Sequence, residues 1–318
     1  MKVEFVTKAF FSDQKVLHPK YASEGTNFIV KDKRSRRVAF DFSKIGSENT
    51  NIVVEKNFDL NTLGDILFDL VKIILLGKKT ACIHASSYVA PGGAVIISGW
   101  EGVGKSALML KKVYQGDSFL SDDRTFVSNK GYVFPIYSDI KQYSGEFASF
   151  TELLGRSNLK ERFIIRLNIF LNGIRKKNKS PRIYYGVQKI LNLLRRLNLY
   201  KIHIPLDKIP IAKNEGYVLS KVLVLQQIAD RSELHLEGDD HTSTITSLIN
   251  TTKFDDSRIF RLYQAYKYLF PEKRNSILEQ YEQNIEHVLS KAFENVKVSQ
   301  QSIYLEESIA AISKRLNA

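Results

Sequence analysis

The sequence predicts an α/β protein with a mixed sheet, a strand-rich N-terminal part and a helical C-terminal part. Three observations predict it. The stretch GWEGVGKS, residues 99–106, sits between a short apolar run and a helix-compatible segment. Two turn signals, Pro91-Gly92-Gly93 and Asn129-Lys130-Gly131, imply hairpins on both sides of that loop, so the sheet should not be purely parallel. From Thr242 onward, apolar residues recur at three- and four-residue spacing, which reads as successive helices to the end of the chain.

Taken in order, residues 1–58 hold four β-type runs, VEFVTKAFF, TNFIV, RRVAFDF and NIVVEKNF, separated by turn residues. Asp59 to Leu76 reads as a helix, with Asp59 or Asn61 as its cap and Gly77 as its stop. Its apolar window is interrupted by Asp65, Asp69 and Lys72, so it suits a helix packed on a sheet and not a bilayer span. The runs ACIHASSYVA and GAVIISG flank the first hairpin turn, and SFLSDD reads as a strand after the loop helix. Residues from about 147 to 200 read as helical and basic, and YVLSKVLVLQQI is the most strand-like run after them. The expected organisation is therefore 1–80, strands plus a helix; 81–146, a nucleotide-binding core; 147–206, a basic helical insertion; and 207–318, the rest of the core and C-terminal helices.

Composition narrows the class. A hydrophobic content of 43% over 318 residues is ample for a core and allows one large domain or two small ones. Cys82 is the single cysteine, which excludes an internal disulfide and points to a reducing, cytoplasmic setting. The N-terminal residues alternate charged and apolar side chains and lack the features of a signal peptide. Six scattered histidines and one cysteine give no zinc-type spacing.

Gly99, Trp100, Glu101, Gly102, Val103, Gly104, Lys105 and Ser106 spell G-x-x-x-x-G-K-S between a strand and a helix. In that arrangement backbone N–H groups cradle phosphate oxygens and the helix N-terminus adds positive potential. Lys105 should reach the β- and γ-phosphates of ATP, and Ser106 should ligate Mg²⁺. Asp122 and Asp123 follow at a strand end, where one carboxylate can serve the metal and the other can take a proton from an acceptor hydroxyl. Asp122 is the candidate metal ligand and Asp123 the candidate base. As a solvated turn, the pair would have no catalytic part.

At these residues the chain resembles the HPr kinase/phosphorylase superfamily and its kinase-like relatives, whose core is shared with phosphoenolpyruvate carboxykinases. In that family a histidine stands 21 positions before the loop lysine, as His84 stands before Lys105, and the loop reads G-x-S-G-x-G-K-S. A helix, a glycine and an L-[IV]-[AS]-D-D strand follow, and here ALMLKKVYQGDSFLSDD has the same length. The resemblance covers about 82–141. Glu101 stands in place of the loop serine, and Ala85 replaces the glycine that follows the histidine. The segments carrying the family's later metal-binding glutamate and its HPr contacts are not found in this chain. The resemblance implies a mixed-sheet kinase core, Asp123 as proton acceptor, and His84 beside the transferring phosphate. It also implies ATP-dependent phosphorylation of a hydroxyl on an acceptor other than HPr: a peptide or protein serine, a sugar or another small molecule. The competing class is a nucleotide-binding regulatory or assembly ATPase without an acceptor.

The charge is uneven. The net charge is +13, and the stretch from Arg156 to His203 alone holds thirteen Lys or Arg against one acid, Glu161. Bulky apolar residues interleave with these cations at helical spacing. An anionic acceptor, an anionic membrane surface or nucleic acid fits such a segment, nucleic acid least because no reading motif accompanies the charge. The oligomeric state is left open by the sequence.

Overall fold

The computed structural model describes residues 1–7, 11, 15–47, 50–137, 140–143, 163, 166, 167, 170, 171, 174, 181–196, 201–204, 206–228 and 241–304. It is α/β with mixed sheets, and its chain divides into two compact units.

The first unit takes residues 1–83, 127–130 and 245–294. Its sheet uses β1 (Lys2–Val6), β2 (Lys15–His18), β3 (Tyr21–Glu24), β4 (Asn27–Lys31), β5 (Arg37–Phe40) and β6 (Asn51–Glu55), in the order β1-β6-β5-β4-β3-β2. β1 runs parallel to β6, and every other pairing is antiparallel. β2 and β3 are additional to the expected strands, because KVLH and YASE are too short and polar to stand out.

Helix α1 (Leu60–Gly77) is capped by Asp59, whose carboxylate accepts from the Thr62 N–H at 2.8 Å. It stops at Gly77, as expected, and Lys79, at φ 62°, makes the left-handed exit. β7 (Thr80–Ile83) follows. The C-terminal part of this unit is built from helices α4 (His241–Asp255), α5 (Ser257–Leu269), the single turn α6 (Ser276–Glu279) and α7 (Tyr281–Phe293). An aromatic core ties them to the sheet: Phe42 sits with ring centroids 5.0 Å from Phe40, 5.5 Å from Tyr263 and 5.2 Å from Tyr266. The last expected region, 207–318, is thus divided: residues 245–294 fold with 1–83, because the apolar faces of α5 and α7 are buried there and not against the loop core.

The second unit takes residues 84–126, 131–244 and 295–318. Its strands are β8 (Ala85–Ala90), β9 (Gly93–Gly99), β10 (Ser118–Ser121), β12 (Tyr132–Phe134), β15 (Tyr217–Ile228) and β16 (Lys297–Tyr304), with β11 (Thr125–Ser128) straddling the division. β10, β8 and β9 are successive antiparallel neighbours, β9 then pairs with β15 in parallel, and β15 carries β12 and β16 on its other edge. β8 and β9 form the expected hairpin. β16 corrects the expectation of helices to the chain's end: Val296, Val298 and Gln300 are buried in alternation, a period of two.

Helix α2 (Lys105–Tyr114) buries Ala107, Leu108, Leu110 and Val113 in a core with Val95, Ile97, Phe119, Leu223 and Leu225. Burial of such a side chain contributes about 1.5–3 kcal/mol, so the helix that carries the loop is firmly seated. A two-stranded ribbon, β13 (Ile140–Tyr143) with β14 (Lys201–Ile204), brackets the basic segment, and its Ile140 and Ile204 join that same core. Within the segment, helix α3 (Pro181–Arg196) is described; the helical expectation for 147–162, 164, 165, 168, 169, 172, 173, 175–180 and 197–200 lies outside the described residues.

Candidate functional site

The loop leaves the sheet at Gly99 and enters α2 at Gly104. Gly99 has φ 147°, and a Cβ there would lie 2.4 Å from the Leu225 carbonyl oxygen, so no other residue fits against β15. Gly104, at φ 96°, is the N-cap of α2. Trp100, Glu101 and Gly102 are exposed, whereas Val103 is buried and anchors the turn in the core below.

Lys105 is buried, and its Nζ is bonded within the loop. It donates to the Gly99 carbonyl at 2.7 Å and the Trp100 carbonyl at 3.1 Å, and lies 3.1 Å from His84 Nε2. His84 occupies the bend between β7 and β8 and is half-buried. The spacing of 21 residues therefore corresponds to direct contact between the imidazole and the loop lysine.

Ser106 Oγ lies 3.5 Å from Ser86 Oγ, and Ser86 donates to Asp122 at 2.7 Å. Ser106 bonds the same carboxylate. Asp122 arrives there because β10 is irregular. Phe119 pairs with Tyr88 and Ser121 with Ser87, so one extra residue, Leu120, is accommodated between them. This bulge reverses the faces of the residues that follow it. Ser121 is thereby turned to meet Ser87 at 2.6 Å, and Asp122 falls on the opposite face, with Ser86. Burial, then the neighbouring Asp123 charge, pushes the Asp122 carboxyl up to about 6 against hydrogen bonds from Ser106, Ser86 and the Asp123 N–H. Asp123 itself is exposed at φ 61°, a left-handed conformation uncommon for a residue with a side chain.

The structure thus brings together Lys105, His84, Ser106 and Asp122. Asp123 is the next residue along, turned outward. Sequence reasoning missed Ser86 and the hydroxyl group behind it, in which Ser121 bonds Thr125 at 2.7 Å and Thr125 bonds the Ala85 carbonyl at 3.0 Å. The only sequence signal was an unusual density of Ser and Thr in otherwise apolar strands. The oxygens of Ser86, Ser106 and Asp122 form a hard donor set, which fits Mg²⁺ completed by phosphate and water oxygens. Among the described residues there is no group of three or more His, Cys, Asp or Glu side chains that could hold a metal alone. A scan against protein-family models matches none of them to this chain, and a search of the curated proteins gives no match.

Proposed function

We propose that the chain is an ATP-dependent kinase, a divergent relative of the HPr kinase/phosphorylase type, that phosphorylates a hydroxyl of an acceptor other than HPr. One observation carries the reading. Two bonded groups meet at the start of α2: the loop lysine with the histidine 21 residues before it, and the first-turn serine with a buried strand-end carboxylate.

Backbone N–H groups of residues 100–106 would hold the β- and γ-phosphates, with Lys105 exchanging its loop carbonyls for phosphate oxygens. His84, already in contact with Lys105, would place a second donor at the same phosphate. Ser106 and Asp122 would hold Mg²⁺, which supplies charge neutralisation on the transferring group. Asp123, outside the hydrogen-bonded set and open to solvent, is free to face an incoming acceptor. In the transfer, the acceptor O–H proton passes to the Asp123 carboxylate while the acceptor oxygen bonds to the γ-phosphorus. The bond to the β–γ bridging oxygen breaks, and ADP leaves with that electron pair.

Incubation with γ-labelled ATP and cell extract tests the reading. Label should move to an extract component, and Asp123→Asn should lower that transfer about 10²-fold or more while ATP still binds. Label released only as phosphate would instead support a regulatory ATPase. Normal transfer by Asp123→Asn would remove Asp123 as the base.

A further inference from the structure

The basic segment carries two different apolar surfaces. Val187, Leu191 and Leu194 on one face of α3 pack with Leu171, Leu167 and Ile174 into a small core of their own. The opposite arc of α3 exposes Tyr185, Ile190 and Leu193, with the exposed cation Lys189 among them. The described positions before α3 repeat the pattern: Phe163 and Phe170 are 68% and 64% exposed, with Arg166 exposed between them. Neighbouring exposed apolar side chains on one helix face, unlike single scattered ones, mark an interaction surface.

We infer that the exposed surface carrying Phe163, Phe170, Tyr185, Ile190 and Leu193, with the cations Arg166 and Lys189 among them, docks on an anionic lipid bilayer surface. Charge complementarity selects this occupant. A second copy would set thirteen cations and one acid from 156–203 against the same set, since a two-fold interface places like on like. Nucleic acid would use the charge and could stack the aromatic rings, but would leave Ile190 and Leu193 without a partner. A bilayer interface takes both kinds of group: cations meet anionic headgroups, and bulky apolar side chains enter the boundary beneath them. Among the described residues no helix is long and apolar enough to cross a membrane, so the contact expected is one that lies on the surface. The inference stands apart from the kinase reading, because it invokes no residue of the loop site.

The test uses the full chain without nucleotide. Vesicles of phosphatidylcholine alone are compared with vesicles containing about a quarter phosphatidylglycerol, by co-sedimentation at low and high salt. The chain should pellet with the anionic vesicles, not with the neutral ones, and should be released by salt. Tyr185→Ser, Ile190→Ser and Leu193→Ser together, and separately Lys189→Glu with Arg166→Glu, should each weaken vesicle binding about tenfold or more. Circular dichroism of both variants, which alter exposed positions only, should match wild type. Equal binding to both vesicle types overturns the inference. So does failure to bind anionic vesicles, whether light scattering then shows a dimer through this face or filter binding shows salt-sensitive association with single-stranded RNA. Unaltered vesicle binding by both variants would also overturn it.

Discussion

Lys105 and Lys72 are both buried lysines, one in each unit, at 5% and 6% exposure. Lys72 faces fixed opposite charge. Its ammonium lies 3.0 Å from Asp69 and bonds Asp256, which also accepts from the Tyr281 hydroxyl, while Arg258 holds the far side of Asp69 at 2.6 Å. Burial pulls the Lys72 ammonium down, but the two carboxylates outweigh it and hold it above its ordinary range. Lys105 is held by two carbonyl dipoles and an imidazole. The first arrangement satisfies charge with charge and locks α1 to α5. Under the proposed function, the second would let Lys105 exchange its carbonyl partners for the stronger anion of a phosphate. Burial of a charge alone therefore does not separate the two lysines; the chemistry of their partners does.

Two buried carboxylates repeat the contrast. Burial pushes Asp41 up, but hydrogen bonds from Tyr266, Ser43 and Lys273 together bring it below the ordinary carboxylate value. Asp122 has hydroxyl partners and an adjacent negative charge, and it ends at about 6. Asp41 belongs to a completed network, in which Tyr266 donates to it at 2.7 Å and Lys273 at 3.0 Å. Asp122 is the group that a cation would stabilise.

The largest expected effect separates the two lysines. Lys72→Ala leaves Asp256 and Asp69 buried with one cation removed, and should lower folding stability by about 3–5 kcal/mol in denaturant titrations. A loss below about 1 kcal/mol would mean that the cluster is not what locks the helices. Lys105→Ala should act on ligand instead. Nucleotide binding should weaken by about 1.5–3 kcal/mol, the scale of a hydrogen bond to a charged group, while the thermal midpoint stays close to wild type. Trp100, the single tryptophan and 55% exposed within the loop, reports the binding by fluorescence. Equal affinity in Lys105→Ala would dissolve the contrast and the proposed function with it. Ser86→Ala removes one hydrogen bond from Asp122, worth about 1 kcal/mol, and should raise the Mg²⁺ concentration needed for transfer. An unchanged Mg²⁺ dependence would make Ser86 a packing residue only.

The smallest effects are in pH, and their signs are opposite. Asp41, lowered in the folded state, contributes stability that is present above its unfolded value near 3.8 and is lost as pH falls through its folded value. Asp122, raised in the folded state, favours folding while protonated. In metal-free protein that contribution is present below the unfolded value and is lost as pH rises through about 6. Urea midpoints across pH should thus show an acid limb that Asp41→Asn flattens. They should also show a decline near pH 6 that Asp122→Asn flattens and Mg²⁺ suppresses. A decline that persists in Asp122→Asn would assign it to another group.

Local chemistry was legible in the sequence. The glycine loop, the helix after it, the Asp59 cap and the Pro91-Gly92-Gly93 hairpin each depend on neighbours a few residues apart. Backbone sterics and capping leave a readable mark over that distance. The pairing of His84 with Lys105 was legible only through a spacing shared with a family. What needed the tertiary structure was set by partners far along the chain. Lys72 meets Asp256 across 184 residues, and Ser86 meets Asp122 across 36. The face on which Asp122 stands depends on a one-residue bulge between β10 and β8, which alternation along a single strand does not reveal. The strand at 297–304 lacked a strong local pattern and takes its form from β15 beside it, where a parallel register satisfies its backbone N–H and C=O groups. Local sequence determined the glycine loop and the helix after it, because both depend on a few consecutive backbone groups. The tertiary fold decided which buried charges face fixed opposite charges, because that balance is a sum over partners that only folding brings within reach.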